Sequence, residues 1–201
     1  MRYKEIVFKT IIFTLLIVAA ISCKAQNPIV GLDAPSNTPK GAYYKDLNNE
    51  LDKFVGTWKF QSTDSEMLII IQKKHKIKIR DIFRDYLVAE YSYKKNGTEL
   101  VNTLANLNSN KEENIGGSYI IKPNERPKCI TCTSNERRIE MYFNDPERDY
   151  LQSTIVLRFI PNSNPQKLSA VIYSNDSIIL PYDDAPQEPR VPYGEYLLIK
   201  Q

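Results

Sequence analysis

A cysteine pair, one histidine and a few clustered carboxylates are the residues whose type and spacing could do chemistry in this chain. Cys129-Ile130-Thr131-Cys132 is a C-x-x-C. A redox motif of this spacing opens a helix after a strand, where the helix N-terminus lowers the thiol pKa. Here Pro127-Lys128 precede it and Thr133-Ser134-Asn135 follow it, which is loop composition. A disulfide that stiffens a loop in an oxidising compartment is expected. It closes so few residues that it adds little stability. Zinc would need more ligands than two thiols and the single histidine, His75, so neither a metal nor a cofactor is expected. His75 stands in Lys73-Lys74-His75-Lys76 and reads as an exposed turn residue, with no local signature of a Ser or Cys nucleophile. Asp145-Pro146-Glu147-Arg148-Asp149 offers alternating carboxylates. A calcium loop would want Gly at its sixth place and Glu at its twelfth, where this sequence has Tyr150 and Val156. Solvated turns are expected there and at Asp183-Asp184. The paired carboxylates of a glycosidase meet in space rather than in sequence, and nothing here singles out a pair. No catalytic residue is assigned, and the chain reads as non-enzymatic.

The third cysteine carries a different chemistry. Arg2, Lys4 and Lys9 surround a single acid, Glu5, and Thr10 to Ile21 is an apolar run without charge that ends at Ser22-Cys23. A charged segment, an apolar segment and a small residue before a cleavage point make the layout of an export signal. The run is shorter than the ~20 residues needed to span a bilayer core. Ala20-Ile21-Ser22-Cys23 resembles a bacterial lipobox, although Ala20 stands where Leu is usual. That resemblance implies lipidation of Cys23 and a lipid-anchored protein on the extracytoplasmic side of the cell envelope. Lipidation also resolves an odd cysteine count. The alternative is a cut before Gln26 by ordinary signal peptidase, giving a secreted or periplasmic soluble protein. Removal of residues 1–22 takes three basic residues and one acid, leaving 179 residues with a net charge of +1. A near-neutral chain gives no electrostatic case for nucleic acid.

The mature chain divides into a Pro- and Asn-rich tether over 23–42 and a single domain over 43–201. Tyr44, Leu47, Leu51 and Phe54 recur at helical spacing, so one short helix is expected before Gly56. The period then changes to two. Trp58 and Phe60 share one face of a strand against Thr57, Lys59 and Gln61. Met67 to Ile71 is continuously apolar, as in a strand covered on both sides. Separate strands follow at Lys76–Arg80 and Leu87–Lys94, and Asn96-Gly97 marks a tight hairpin. Further strands are expected near Glu99–Leu104, Ser118–Lys122, Arg138–Phe143, Ser153–Ile160, Lys167–Tyr173 and Glu195–Lys200, with a turn at Gly116-Gly117. The total is about ten short strands behind one helix, hence a mainly β, antiparallel barrel or sandwich. Ala105–Asn114 reads as a long loop, and the prolines of 181–192 forbid a central strand. Lys73, Lys74, Lys76, Lys78 and Arg80 form a basic stripe. It is expected to be a solvated strand face that discourages edge pairing, with contact to anionic lipid or glycan as a minor alternative.

Phe54-Val55-Gly56-Thr57-Trp58 resembles the opening motif of the lipocalin-like superfamily, in which a short helix runs into a first strand bearing Gly-x-Trp. The resemblance covers Tyr43 to Gln201. It implies an up-and-down barrel with Trp58 packed across one end and Gly56 supplying a turn. That family often stacks an Arg from near the last strand on the Trp, whereas here the last strand ends Leu197-Leu198-Ile199-Lys200 and Arg190 lies in the Pro-rich loop. It also implies a non-enzymatic module for a small apolar or amphipathic ligand at the barrel's open end. The alternative is a structural or protein-interaction module of the envelope, with a filled barrel and no ligand.

Overall fold

A computed structural model of the protein describes Tyr3, Glu5, Val7 and residues 27–35, 37–109, 111–175 and 180–201. Cys23 and most of the export signal lie outside the described residues.

Alternation of apolar and polar residues produces eleven strands among the described residues. They are β1 (Ile29–Gly31), β2 (Tyr43–Lys45), β3 (Gly56–Gln61), β4 (Ser65–Ile79), β5 (Ile82–Lys95), β6 (Thr98–Asn102), β7 (Ile115–Ile121), β8 (Arg138–Phe143), β9 (Ser153–Ile160), β10 (Lys167–Ser174) and β11 (Gly194–Lys200). Eight of them form a closed antiparallel barrel, in the ring order β3-β4-β5-β7-β8-β9-β10-β11. Each neighbour in this ring is the next strand of the barrel along the chain, so the path is up-and-down. The protein is therefore mainly β, with an antiparallel up-and-down barrel as its body.

Two junctions in the ring are short. Strand β11 meets β3 through Ile199 opposite Lys59 and Lys200 opposite Trp58. Strand β7 meets β5 through Leu87–Gly117, Val88–Gly116 and Ala89–Ile115. Strand β5 holds β4 along one edge over nearly its whole length. Its other edge is shared by three strands in succession: β2 at Phe83 and Arg84, β7 at Leu87–Ala89 and β6 at Ser92–Lys95. Where β7 turns away and β2 takes over, the edge would leave polar groups unpaired. Arg84 fills the gap. Its guanidinium donates to Ser118 Oγ (2.7 Å), Ser118 O (3.0 Å) and Leu32 O (2.7 Å). It is sandwiched by the Tyr44 and Tyr119 rings at 4.9 and 4.7 Å. Burial pulls the Arg84 pKa down from its ordinary value, but a guanidinium stays charged.

Several segments differ from the sequence expectation. Tyr43–Lys45 is a strand, and Asp52–Phe54 is a single 3₁₀ turn where a longer helix was expected. The cause is Asp46, whose carboxylate accepts the N–H groups of Glu50 (2.8 Å) and Leu51 (3.0 Å) and closes a local turn. Such bonds compete with helix. Tyr44, Leu51 and Phe54 are buried as expected, but Leu47 is exposed. The stretches 67–71 and 76–80 belong to one long β4 with a bulge between Lys74 and Ile77. Met67, Ile69 and Ile71 are buried whereas Leu68 and Ile70 are half-buried, so β4 is not covered equally on both faces. Gly116-Gly117 is part of β7, not a turn. A Cβ on Gly117 would lie 2.7 Å from Met141 Cα, so β8 approaches too closely for any side chain. The composition of 27–42 suits a tether, yet β1 pairs with β2 in parallel and Leu32 is buried.

Replacement of Arg84 by Met keeps the length of the side chain but leaves Ser118 Oγ and Leu32 O without their donor. Arg84→Met is expected to lower unfolding free energy by about 2–4 kcal/mol, from lost charged hydrogen bonds and unsatisfied acceptors. Urea titration checks this; an unchanged midpoint would show that the junction closes without it.

Candidate functional site: the barrel end, its interior and its outer groove

The Gly-x-Trp segment closes the ring. Trp58 is completely buried, and its indole N–H donates to Phe54 O at 2.8 Å. Lys200, its register partner on β11, places Nζ 5.3 Å from the ring centroid. A cation from the last strand thus covers the tryptophan, and it is a lysine. Gly56 takes φ +135°, and a Cβ there would lie 3.0 Å from Lys200 Cε. Glycine is needed both for its backbone and to leave room for the lysine stem.

Large side chains fill the interior behind Trp58. Tyr91, Tyr93, Phe143, Met67, Ile69, Leu157 and Leu168 are all buried there. Tyr91 and Phe143 stack with centroids 4.9 Å apart, and Phe60 meets Tyr196 edge-on at 5.0 Å. The tyrosines keep their rings in the core and send their hydroxyls to polar partners. Tyr91 donates to Asn144 O (3.0 Å), Tyr93 to Ser65 Oγ (3.2 Å) and Tyr196 to Pro192 O (2.5 Å). This satisfies each phenol while its ring contributes apolar area.

An ion pair fastens two of the loops. Asp145 is buried and accepts from Arg190 Nη2 (2.5 Å), from Arg190 Nε (2.9 Å) and from the Arg190 backbone N–H (2.7 Å). Arg190 also donates to Leu100 O and to Glu147. Asp145 is therefore not part of a solvated turn. Burial alone would raise its carboxyl pKa, but the Arg190 guanidinium and the backbone N–H groups of Arg190 and Glu147 outweigh it and hold the value below the ordinary carboxylate range.

A second cluster organises the β4–β5 hairpin. Asp85 is buried and accepts from Tyr43 OH (2.5 Å), Asp46 N (3.0 Å) and Lys76 N (3.0 Å). His75 is exposed, with Nδ1 3.5 Å from the same carboxylate. Burial and the neighbouring Asp85 carboxylate push the Tyr43 phenol up to about 12, so it remains a donor. Burial opposes ionisation of Asp85, but the Tyr43, Asp46 and Lys76 donors prevail and keep it low. With its oxygens so occupied, Asp85 is a structural acceptor and not a free base. Lys73, expected to be solvated, pairs with Asp46 (2.8 Å) and Asp52 (2.6 Å). Glu90 faces outward from the barrel but is buried, and it accepts from Asn114 N and Nδ2.

An open groove of about 820 Å³ runs along the outer surface, lined by Ile77, Ile79, Tyr86, Glu113, Tyr142 and Asn175 among others. Tyr142 donates to Glu113 O at 3.0 Å. Burial, then the Glu113 charge, raises the Tyr86 phenol, and burial followed by Tyr86 and Glu113 does the same for Tyr142. Tyr142 is thereby held as a neutral donor to Glu113 O.

Cys129 and Cys132 are joined by a disulfide with a Cα–Cα distance of 5.4 Å, in a loop where Ile130 is almost fully exposed. Among the described residues no group of three or more His, Cys, Asp or Glu side chains could hold a metal ion. Sequence reasoning missed Arg84, Asp85 and Asp46. The signal of the first two was a charged pair inside the strand-forming run Ile82-Phe83-Arg84-Asp85-Tyr86, where charges persist only if satisfied, and Asp46 had no such local signal.

Fold and site together define a closed antiparallel barrel whose described polar clusters serve structure. The chain belongs to a family of unknown function, DUF6705, whose model matches residues 6–201. No curated protein and no solved structure matches it.

Two outcomes follow from this geometry. Trp58→Ala is expected to cost about 3–5 kcal/mol, as for other large buried aromatics, and Gly56→Ala about 1–3 kcal/mol from backbone strain. Denaturant titration followed by the emission of Trp58, the only tryptophan, checks the glycine variant, and circular dichroism checks the alanine. Asp145 makes stability depend on pH with a definite sign. Its folded pKa is depressed, so its contribution is present above the unfolded value of ~3.9 and is lost as pH falls through the folded value. The melting temperature of the wild type should fall as pH drops below about 4. In Asp145→Asn it should start lower at neutral pH and fall less steeply over that interval.

Proposed function

We propose that this chain is a lipid-anchored envelope module that works by presenting its outer surface, as a non-enzymatic interaction protein with a filled barrel. The observation that carries this reading is the packing of Trp58, Tyr91, Tyr93 and Phe143 along the interior, all at 2% exposure or less. A ligand-carrying barrel keeps an apolar-lined space of several hundred Å³, and here large side chains occupy the interior. The satisfied state of Asp85, Asp145 and Glu90 supports a non-catalytic role. The Gly56-x-Trp58 segment, with Lys200 over the indole, supports the likeness to lipocalin-like barrels. The charged and apolar segments before Cys23 support export and lipidation.

Two measurements test the proposal. Titration with a fluorescent fatty acid such as cis-parinaric acid should give no saturable signal and no quenching of Trp58. Stoichiometric saturable uptake with quenching would replace this reading by that of a carrier for a small apolar ligand. Mass spectrometry of the native N-terminus should find a diacylated or triacylated Cys23, and a free Gln26 terminus on a soluble protein would remove the anchor.

A further inference from the structure

The position of Asn27 bears on what the β4–β5 hairpin faces. Gly41 N–H donates to Asp81 O, in the hairpin turn, at 2.6 Å. Asn27 packs on that glycine, where a Cβ would lie 2.7 Å from Asn27 Oδ1. Tyr43 N–H donates to Pro28 O at 2.8 Å. Residues 27 and 28 are thereby pinned beside the Arg80-Asp81 turn. Four residue steps separate Asn27 from Cys23, a reach of at most about 14 Å even when fully extended. A membrane that held Cys23 would lie within that distance of Asn27, which sits beside the hairpin turn.

The tip has the composition such a surface would select. Lys76, Lys78 and Arg80 are exposed, and Lys40 adds a fourth cation. Ile77 is 38% exposed among them. Asp81 is the acid of the turn, and Lys40 pairs with it at 3.0 Å. Asp85 lies buried below His75 and is taken up by Tyr43, Asp46 and Lys76. The hairpin is braced rather than loose: Asp85 accepts the N–H of Lys76 at the bulge, and β2 pairs with Phe83 and Arg84. Lys76 Nζ lies over the Tyr43 and Phe83 rings at 5.6 and 5.5 Å. Fixed cations beside a lipid anchor form the second of the two signals that stable attachment needs, and each gains about fivefold in affinity near an anionic leaflet.

We infer that the tip of the β4–β5 hairpin, through Lys76, Lys78 and Arg80, rests on anionic phospholipid headgroups and orients the barrel on its membrane. This rests on the lipid-anchored reading of Cys23, and the test separates the two. The mature chain, residues 23–201, has one free thiol because Cys129 and Cys132 are bonded. Cys23 can therefore be coupled to a maleimide-headgroup lipid in vesicles whatever modification the cell makes. Lysine acetylation is then footprinted by mass spectrometry on phosphatidylcholine vesicles with and without about 30% phosphatidylglycerol, a content chosen to give an anionic surface. Protection of Lys76 and Lys78 by at least fivefold relative to Lys94 and Lys95, at the opposite end of β5, is expected on the anionic vesicles. Equal labelling of the two groups, or protection that does not depend on phosphatidylglycerol, would overturn the inference. In the triple variant Lys76→Glu, Lys78→Glu, Arg80→Glu, protection of the remaining tip lysine, Lys40, should no longer depend on phosphatidylglycerol, while Trp58 emission stays native. An unlipidated native Cys23 would show only in the mass of the cellular protein and would leave the vesicle result standing.

Discussion

Closure of the ring between β3 and β11 is the constraint on which the rest depends. Only two residue pairs span this junction, so backbone hydrogen bonds alone hold it weakly. Trp58 stands at one of those pairs and makes the junction an apolar contact as well. Its indole N–H is fixed by Phe54 O, its face is covered by Lys200, and the lysine stem lies where Gly56 has no side chain. Removal of any one member loosens the others, because the hydrogen bond, the cation and the close approach share one ring. A closed barrel has no free edges in its wall, and that advantage lasts only while this short junction holds.

The opposite junction solves a different problem. Three strands share one edge of β5, and the change from β7 to β2 leaves a discontinuity in the ladder. A buried cation is an expensive filler in general. Arg84 is tolerated because carbonyls, a hydroxyl and two tyrosine faces receive it. The N-terminal strands β1 and β2 are thus joined to the barrel by a side chain as much as by their own pairing, and Leu32 and Tyr44 are buried as a result.

Much of the barrel was legible in the sequence, for a physical reason. Strands such as Arg138–Phe143 and Ser153–Ile160 are bounded by turn residues, and Asn96-Gly97 has positive φ at both residues, as the hairpin signal requires. Trp58 was legible because a lone tryptophan after Gly56 marks a strand start. The expected helix failed because spacing alone cannot register a carboxylate that captures two backbone N–H groups, as Asp46 does. The burial of Asp145 and Glu90 depends on loops arriving from elsewhere in the chain, Arg190 in one case and Asn114 in the other. Lys200 could be matched to Trp58 only once the strand register was known. The polar clusters were therefore the least legible part, since each is made by residues distant in sequence and carries no local period.

The pairing of Lys200 with Trp58 also has a meaning in time. The two residues are roughly 140 positions apart, so a growing chain has made its tryptophan strand long before the strand that closes on it exists. Until then the wall has two open edges and the indole lacks its cover. Contacts so remote in sequence form late and slowly. A barrel of this order cannot close before β11 has been synthesised, so its completion is late by construction.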